Sequence, residues 1–164
     1  MRLLHLPTFW TVVIDFIAWT IIHLGVVFVS VRLPGTCFHP GGWLYRSRTW
    51  EKEGSLYHKV FKIRRWKEHL PDAAPFLGSR GFPKKRLKEK SRPYFHAFLI
   101  ETCRAELTHW LVLCFAPFFF FWNPPGAGLV MILYGLIENI PLIMTQRYNR
   151  CRLNCVLKTE RPRS

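Results

Sequence analysis

The sequence predicts an all-α integral membrane protein with about three transmembrane helices and a basic cytoplasmic region. The chain of 164 residues has a formal net charge of +14, yet 49% of its residues are hydrophobic. Residues 3–31 contain one charged group, Asp15, and residues 107–146 contain one, Glu138. Such stretches suit a bilayer and are too long for buried helices of a small soluble domain. They therefore exclude a soluble nucleic-acid-binding protein, which the net charge alone would favour.

The first predicted span covers residues 9–31 and ends at Leu33-Pro34-Gly35, because proline and glycine interrupt a helix. The stretch is too long for the apolar part of a signal peptide, and no small-residue cleavage site precedes Arg32. We therefore expect this span to be retained. Asp15 and His23 lie inside it, where ionisable side chains are costly unless they have polar partners.

Two further spans are predicted at residues 107–122 and 127–145, and a short uncharged connector joins them. A connector of this length requires an antiparallel helical hairpin. Folding the chain about residues 124–125 places Asn139 level with His109. It also places residues 146–150 level with residues 101–104, so that two polar clusters distant in sequence meet.

The region between the first span and the hairpin is basic, and residues 56–70 are its most helix-like part. Their apolar stripe predicts an amphipathic helix lying on anionic headgroups, with Trp43, Trp50 and Trp66 at the interface. A run of basic residues, 84–88, is expected to be a solvated surface that also attracts acidic lipid. The expected segments are 1–32 (first span), 33–104 (basic region), 105–146 (hairpin) and 147–164 (basic tail).

The distribution of Lys and Arg predicts the orientation of the chain. Of the 24 basic residues, 17 lie in residues 32–104 and 6 in residues 145–164, whereas the connector has none. Cytoplasmic segments are enriched in Lys and Arg. The sequence therefore predicts a multi-pass protein with the basic region and the C-terminus in the cytoplasm and the N-terminus outside.

Residues 101–110, Glu-Thr-Cys-Arg-Ala-Glu-Leu-Thr-His-Trp, concentrate polar groups at the start of an apolar segment. On a helix, Glu106 and His109 lie about 60° apart, as do Glu101 and Arg104. A carboxylate one turn before a histidine can fix its tautomer and raise its basicity, as a general base requires. The alternative is a helix end carrying ion pairs between residues three and four apart.

The same decapeptide, together with Asn139-Ile140-Pro141 and residues 146–153, resembles the glycosyl-4,4'-diaponeurosporenoate acyltransferase family of bacterial carotenoid pathways. The similarity is collinear over most of the chain. It includes Trp50-Glu51-Lys52, Arg64-Arg65-Trp66-Lys67, Leu70-Pro71-Asp72 and Gly81-Phe82. The resemblance implies acyl transfer to a sugar hydroxyl of a lipid-linked glycoside in the bacterial cell membrane.

Chemistry then suggests roles for the polar residues. His109 is the expected base, with Glu106 orienting it, and Arg104 and Glu101 complete the expected catalytic set. Arg147, Asn139 or Arg104 are the expected donors to an oxyanion. The expected substrate-binding residues are Asn139, Gln146, Arg147, Tyr148, Asn149, Arg150, Arg64, Trp66 and Lys67.

The expected acyl donor is acyl-CoA or another activated acyl carrier, whose phosphates Arg64, Arg65, Lys67 and residues 84–88 would hold. We expect no bound cofactor and no metal site, because the five Cys have no zinc-site spacing. One alternative remains open. A non-catalytic membrane adaptor would use the same basic face to bind acidic lipids or a partner protein, and it would tolerate loss of His109 and Glu106.

Overall fold

The computed structural model describes residues 7–70 and 91–159, and all regular secondary structure in these ranges is helical. The predicted basic run 84–88 and the family-like residues 71–72 and 81–82 lie outside the described residues. The α-helices are α1 (Thr8–Arg32), α2 (Ser55–Lys59), α3 (Ile63–Trp66), α4 (Arg92–Phe115) and α5 (Pro125–Thr159). Short 3-10 segments cover Gly35–Cys37, Thr49–Gly54, Lys67–His69 and Ala116–Phe121.

The chain folds into two compact units, each built from two separate stretches of sequence. The first unit comprises Met1–Pro34 and Glu106–Ile143, and the second comprises Gly35–Ala105 and Met144–Ser164. Helices α4 and α5 each contribute residues to both units. Residues that are adjacent on one of these helices can therefore belong to different units, as Ala105 and Glu106 do.

Helix α1 forms where the first apolar span is predicted. It has 25 residues, and its C-cap Leu33 is extended because Pro34 follows it. Its buried residues recur at helical spacing on one face: Asp15, Trp19, Val26 and Ser30. Large apolar side chains elsewhere on α1 are exposed, for example Phe16 at 75%. A helix with a narrow buried face and a wide apolar surface suits lipid.

The core of the first unit joins α1 to the hairpin. Trp19 and Val26 pack with Val112, Ala116 and Phe119, and the Trp19 and Phe119 rings are stacked with centroids 4.7 Å apart. At the turn, Trp122 Nε1 and Asn123 Nδ2 donate to the buried carboxylate of Asp15 at 2.7 and 2.6 Å. These two donors explain how an aspartate can be buried in α1.

The number of helices that suit a bilayer differs from the prediction. Among the residues that the structure describes, two helices, α1 and α5, are long and apolar enough to cross a membrane, whereas three spans are predicted. Helix α4 carries Glu101, Arg104 and Glu106, so only its last nine residues, 107–115, belong to the uncharged run of the predicted span. The rest of that apolar run forms the 3-10 segment that contains Pro117. Proline disfavours the α conformation of the residue before it, which accounts for this change of helix type.

The predicted amphipathic helix at residues 56–70 is wrong. The chain forms the short helices α2 and α3 instead, with a break at Lys62, whose φ is 49°. Tyr57 and Ile63 both pack in one buried cluster with Tyr148. Residues six apart lie about 120° apart on a continuous helix, so the break allows both to face that cluster.

The second unit has another core where α4 meets the C-terminal part of α5. Phe95, Phe98 and Leu99 of α4 are buried with Leu153 of α5, and each is at most 5% exposed. Gly54 adopts φ 91° at the end of the 3-10 segment before α2, where a Cβ atom would lie 3.2 Å from Cβ of Cys151. The left-handed conformation favours glycine there, and the close approach of Cys151 leaves little room for a side chain.

Candidate functional site

In the first unit, His109 of α4 contacts Asn139 of α5, as the predicted fold of the hairpin about residues 124–125 requires. His109 Nδ1 lies 2.9 Å from Asn139 Oδ1. Asn139 Nδ2 donates to the Gly135 carbonyl oxygen at 2.9 Å, which fixes the orientation of the amide. Because an amide oxygen only accepts, Nδ1 carries the proton. The neutral ring therefore has its basic lone pair on Nε2.

Glu106, the residue predicted to orient His109, is fully buried. Its Oε1 accepts a hydrogen bond from Trp110 Nε1 at 3.3 Å. The tautomer of His109 is explained by Asn139, an amide from the other arm of the hairpin. Glu106 places a buried carboxyl group one helical turn before His109 on α4.

Glu101 and Arg104, which belong to the second unit, form an ion pair. Arg104 Nε lies 3.1 Å from both carboxylate oxygens of Glu101, and its guanidinium stacks on the Phe38 ring at 4.7 Å. This ion pair joins residues three apart on α4. It is the kind of pair expected if residues 101–110 form a charged helix end.

The second unit also contains a buried polar network centred on Glu51, which is 0% exposed. Its Oε1 accepts from Arg147 Nε at 2.7 Å and from the Tyr57 hydroxyl at 2.6 Å, and its Oε2 accepts from the Arg48 backbone N–H. Arg147 also donates from Nη1 and Nη2 to the carbonyl oxygens of Leu44 and Arg46. All three guanidinium nitrogens of Arg147 are therefore engaged within the unit.

The role of Glu51 was missed at the sequence level. Two features of the sequence could have indicated it. Glu51 lies in the Trp50-Glu51-Lys52 stretch that resembles the family, and the chain has 10 acidic residues to pair with 24 basic ones. Burial tends to raise the pKa of Glu51, but the hydrogen bonds from Arg147, Tyr57 and Arg48 outweigh it and hold the pKa below its ordinary value. The contribution of the Glu51 carboxylate to folding stability is therefore fully present at neutral pH. It is lost as the pH falls through the folded-state pKa of Glu51.

Four predicted substrate-binding residues line one cavity of about 410 Å³ in the second unit: Arg64, Lys67, Tyr148 and Asn149. Arg64 Nε donates to the Tyr148 hydroxyl at 3.0 Å, and Lys67 Nζ lies 5.3 Å from the centroid of the Tyr148 ring. The cavity also has lining residues that were not among the predicted binding residues: Arg152, Glu68, Phe95, Phe98, Leu153 and Val156. We call this space the cationic cavity.

The other predicted binding residues do not line this cavity. Arg150 is 1% exposed, and its Nε donates to the Tyr45 carbonyl oxygen at 2.9 Å. Its Nη1 lies 3.8 Å from Cys103 Sγ, so the 146–150 block does meet the 101–104 turn. Gln146 is also 1% exposed, and Trp66 Nε1 donates to the Phe61 carbonyl oxygen at 2.8 Å. None of these three residues lines the cationic cavity.

A second cavity, of about 630 Å³, contains none of the predicted residues. Arg46, Arg92, His96 and Lys158 contribute to its lining, and Cys151 lies in its wall with Sγ 3.5 Å from the Ser47 hydroxyl. No group of three His, Cys, Asp or Glu residues in the described part of the chain could hold a metal ion.

The structure is thus that of a helical protein with two helices that suit a bilayer and a histidine whose tautomer is fixed by an amide. The profile of the glycosyl-4,4'-diaponeurosporenoate acyltransferase family matches residues 41–159. The chain therefore belongs to this family and is an acyltransferase. The resemblance found in residues 101–110 and 146–153 is confirmed.

Curated relatives with the same description agree with the family match. The chain is 37% identical to a glycosyl-4,4'-diaponeurosporenoate acyltransferase of Staphylococcus haemolyticus (strain JCSC1435) over 136 residues, which cover 82% of this chain and 78% of the relative. It is 31% identical over 141 residues to those of Staphylococcus aureus strains USA300 and NCTC 8325, covering 85% of this chain and 84% of each relative. No solved structure matches the chain significantly.

Proposed function

We propose that this protein esterifies a sugar hydroxyl of a glycosylated carotenoid, such as glycosyl-4,4'-diaponeurosporenoate, with a fatty acyl group. The relatives carry that substrate in their names. The observation that carries the proposal is the bond between His109 Nδ1 and Asn139 Oδ1, which places the basic lone pair of the ring on Nε2. A sugar hydroxyl is a weak nucleophile and needs such a base during attack on an acyl carbonyl.

In the proposed reaction, His109 Nε2 takes the proton of the sugar hydroxyl as its oxygen attacks the acyl carbonyl carbon. Glu106, whose carboxyl group is buried one turn earlier on α4, is the residue that we propose stabilises the imidazolium that forms. The proton then passes to the leaving group of the donor. Asn139 keeps the ring in the productive tautomer throughout, which makes it a positioning residue.

For the remaining predicted residues we propose two functions. Glu101, Arg104, Arg147 and Arg150 hold the second unit together, because their charged groups are engaged in ion pairs or hydrogen bonds with other parts of that unit. Arg64, Lys67, Tyr148 and Asn149 bind a phosphate-bearing acyl donor in the cationic cavity. Arginine and lysine are the usual ligands of phosphate groups.

The test of the function is mass spectrometry of lipid extracts from cells that make the glycosylated carotenoid, with and without this protein. We expect the acylated glycoside only in cells that express it. A non-catalytic adaptor would leave the acylation unchanged while its basic face still bound acidic lipid, so unchanged extracts would reject the enzymatic proposal.

We also propose a multi-pass topology in the bacterial cell membrane, with the N-terminus outside and the C-terminus in the cytoplasm. It is supported by the apolar helices α1 and α5 and by the excess of basic residues in residues 32–104 and 145–164. It also requires residues 107–121, the end of α4 and the 3-10 segment after it, to cross the membrane as the other arm of the hairpin.

This topology predicts the labelling of single-Cys variants with a membrane-impermeant thiol reagent. Cys155 is the suitable native position in the tail, because Cys151 is 3% exposed. A variant that keeps only Cys155 should be labelled after permeabilisation and protected in intact cells. The matched variant Gly126→Cys, at an exposed position in the first turn of α5, should be labelled in intact cells. The reverse pattern would invert the topology.

A further inference from the structure

Helix α5 carries two polar side chains, Tyr134 and Glu138, on one face within the first unit. They are four residues apart, which makes them neighbours on a helix, and their polar groups interact. Tyr134 is 48% exposed, and the Glu138 side chain is 36% exposed. In the proposed topology this face lies inside a membrane-spanning helix, where lipid chains offer no hydrogen bonds. An ionisable side chain at such a depth marks a candidate functional site.

His23 of α1 holds the Glu138 carboxyl group in place. His23 Nδ1 donates to the Trp19 carbonyl oxygen at 2.8 Å, since a carbonyl oxygen only accepts. His23 Nε2 lies 3.4 Å from Glu138 Oε1. Two lone pairs would repel each other there, so one proton lies between these atoms and the pair has no net charge. Glu138 Oε2 is buried, which leaves Oε1 as the oxygen that a ligand can reach.

The Tyr134 ring is supported by Trp19. Their centroids lie 5.3 Å apart in an edge-to-face arrangement, and Trp19 itself stacks on Phe119. Trp19 fits against α5 because Gly135 has no side chain: a Cβ atom there would lie 3.1 Å from Trp19 Cη2. An exposed aromatic ring beside a carboxyl group suits a sugar. The ring packs against the C–H groups of the sugar, and the carboxyl oxygen accepts from its hydroxyl groups.

Glu138 also lies at the depth of the proposed base. Asn139, whose amide oxygen contacts His109 Nδ1, is the next residue on α5, so the two positions differ by about 1.5 Å along the helix axis. All of these residues belong to the first unit. A sugar bound at Glu138 is therefore held at the level of the helix turn that orients His109.

We infer that Tyr134 and Glu138 form a binding subsite for the sugar of the lipid-soluble acceptor, and that His23 positions Glu138 in this subsite. The inference rests on the proposed function and assigns part of its acceptor site. Binding uses hydrogen bonds and ring contact, so it includes no covalent step. The subsite would give the protein a preference for a glycosylated pigment over the same pigment without its sugar.

The experiment compares two pigments that differ only in the sugar, glycosyl-4,4'-diaponeurosporenoate and 4,4'-diaponeurosporenoate. The full-length protein in detergent micelles is titrated with each pigment without an acyl donor, and quenching of tryptophan fluorescence by the polyene gives two Kd values. We expect the glycoside to bind more tightly. Equal Kd values, together with acylation of the glycoside in cells, would overturn the subsite and leave the proposed function intact.

Variants assign the preference to the two residues. Glu138→Ala and Tyr134→Leu should each reduce the preference for the glycoside about 3- to 10-fold, the effect of losing one hydrogen bond or one ring contact. The Kd of the sugar-free pigment should not change. His23→Leu should act in the same direction as Glu138→Ala, and combining the two should cost little more. A purely structural role would weaken binding of both pigments alike, and an unchanged ratio of Kd values would overturn the inference.

Tyr134→Leu keeps the test decisive if Glu138→Ala does not fold, because Tyr134 is exposed and the pair of His23 with Glu138 remains. The control Leu136→Ala shortens an exposed apolar side chain that lies about 200° around α5 from both subsite residues, and it should not change the ratio. A folded Tyr134→Leu protein with the same ratio as this control would reject the subsite.

Discussion

His109→Ala is expected to lower the rate of acyl transfer about 10²- to 10⁴-fold, the usual effect of losing a general base. The protein should remain in the membrane, because His109 is only partly buried. The measurement is the ratio of acylated to non-acylated glycoside in membranes, normalised to the amount of protein. Near-normal turnover would show that histidine is not the base, and residues 101–110 would then be an ion-paired helix end.

Companion variants separate the base from the residues that position it. Asn139→Ala removes the acceptor of the Nδ1 proton, so kcat should fall with little change in KM, and the pH dependence of kcat should shift. Glu106→Gln keeps the shape of the side chain and removes its charge, so it should be damaging but less severe than His109→Ala. If these residues act as a unit with His109, adding either change to His109→Ala should cost little more.

Arg147→Met is expected to destabilise the protein by about 3–5 kcal/mol, because it leaves the Glu51 carboxylate buried without its ion-pair partner. Thermal unfolding of the detergent-solubilised protein would measure the loss. Arg147→Lys should be intermediate. An ammonium can still pair with Glu51, but it cannot also reach the two carbonyl oxygens that the planar guanidinium binds.

Two comparisons make this result interpretable. The double variant Glu51→Gln with Arg147→Met removes both charges, so it should be more stable than Arg147→Met alone. The control Lys158→Gln breaks a pair in which Lys158 Nζ lies 3.5 Å from Glu53 Oε1 with both side chains over 70% exposed, and it should change stability by at most about 1 kcal/mol. An Arg147→Met protein as stable as this control would mean that the Glu51 network does not support the fold.

The sequence was informative where a single physical signal dominates. Helix α1 follows from an uninterrupted apolar run ended by Pro34, and the contact of His109 with Asn139 follows from a short connector and helical geometry. Hydropathy was less reliable for α4, because an apolar run does not show where proline will replace an α-helix with a 3-10 segment.

The second unit was less predictable because its conformation depends on contacts between residues that are distant in sequence. Glu51 and Arg147 are 96 positions apart, and no periodic pattern connects a short 3-10 segment to a helix over that separation. The break at Lys62 likewise depends on burial of Tyr57 and Ile63 against Tyr148, and a local stripe of apolar residues cannot show this. Spacing correctly suggested that residues 146–150 meet residues 101–104. It could not show which of residues 146–150 line the cationic cavity and which are buried in the interior of the unit.

The buried carboxylate of Asp15 also affects how the protein is made. In the proposed topology α1 enters the bilayer first, yet both hydrogen-bond donors to Asp15 lie more than 100 residues later in the chain. At about 5–20 residues per second, the ribosome supplies them roughly 5–20 s afterwards. During that interval an aspartate in lipid costs up to about 2.5–3.5 kcal/mol, the insertion-scale value for the centre of a span. The nascent chain therefore passes through a period in which α1 is held in the membrane by its apolar residues alone, until synthesis of the hairpin turn supplies the donors.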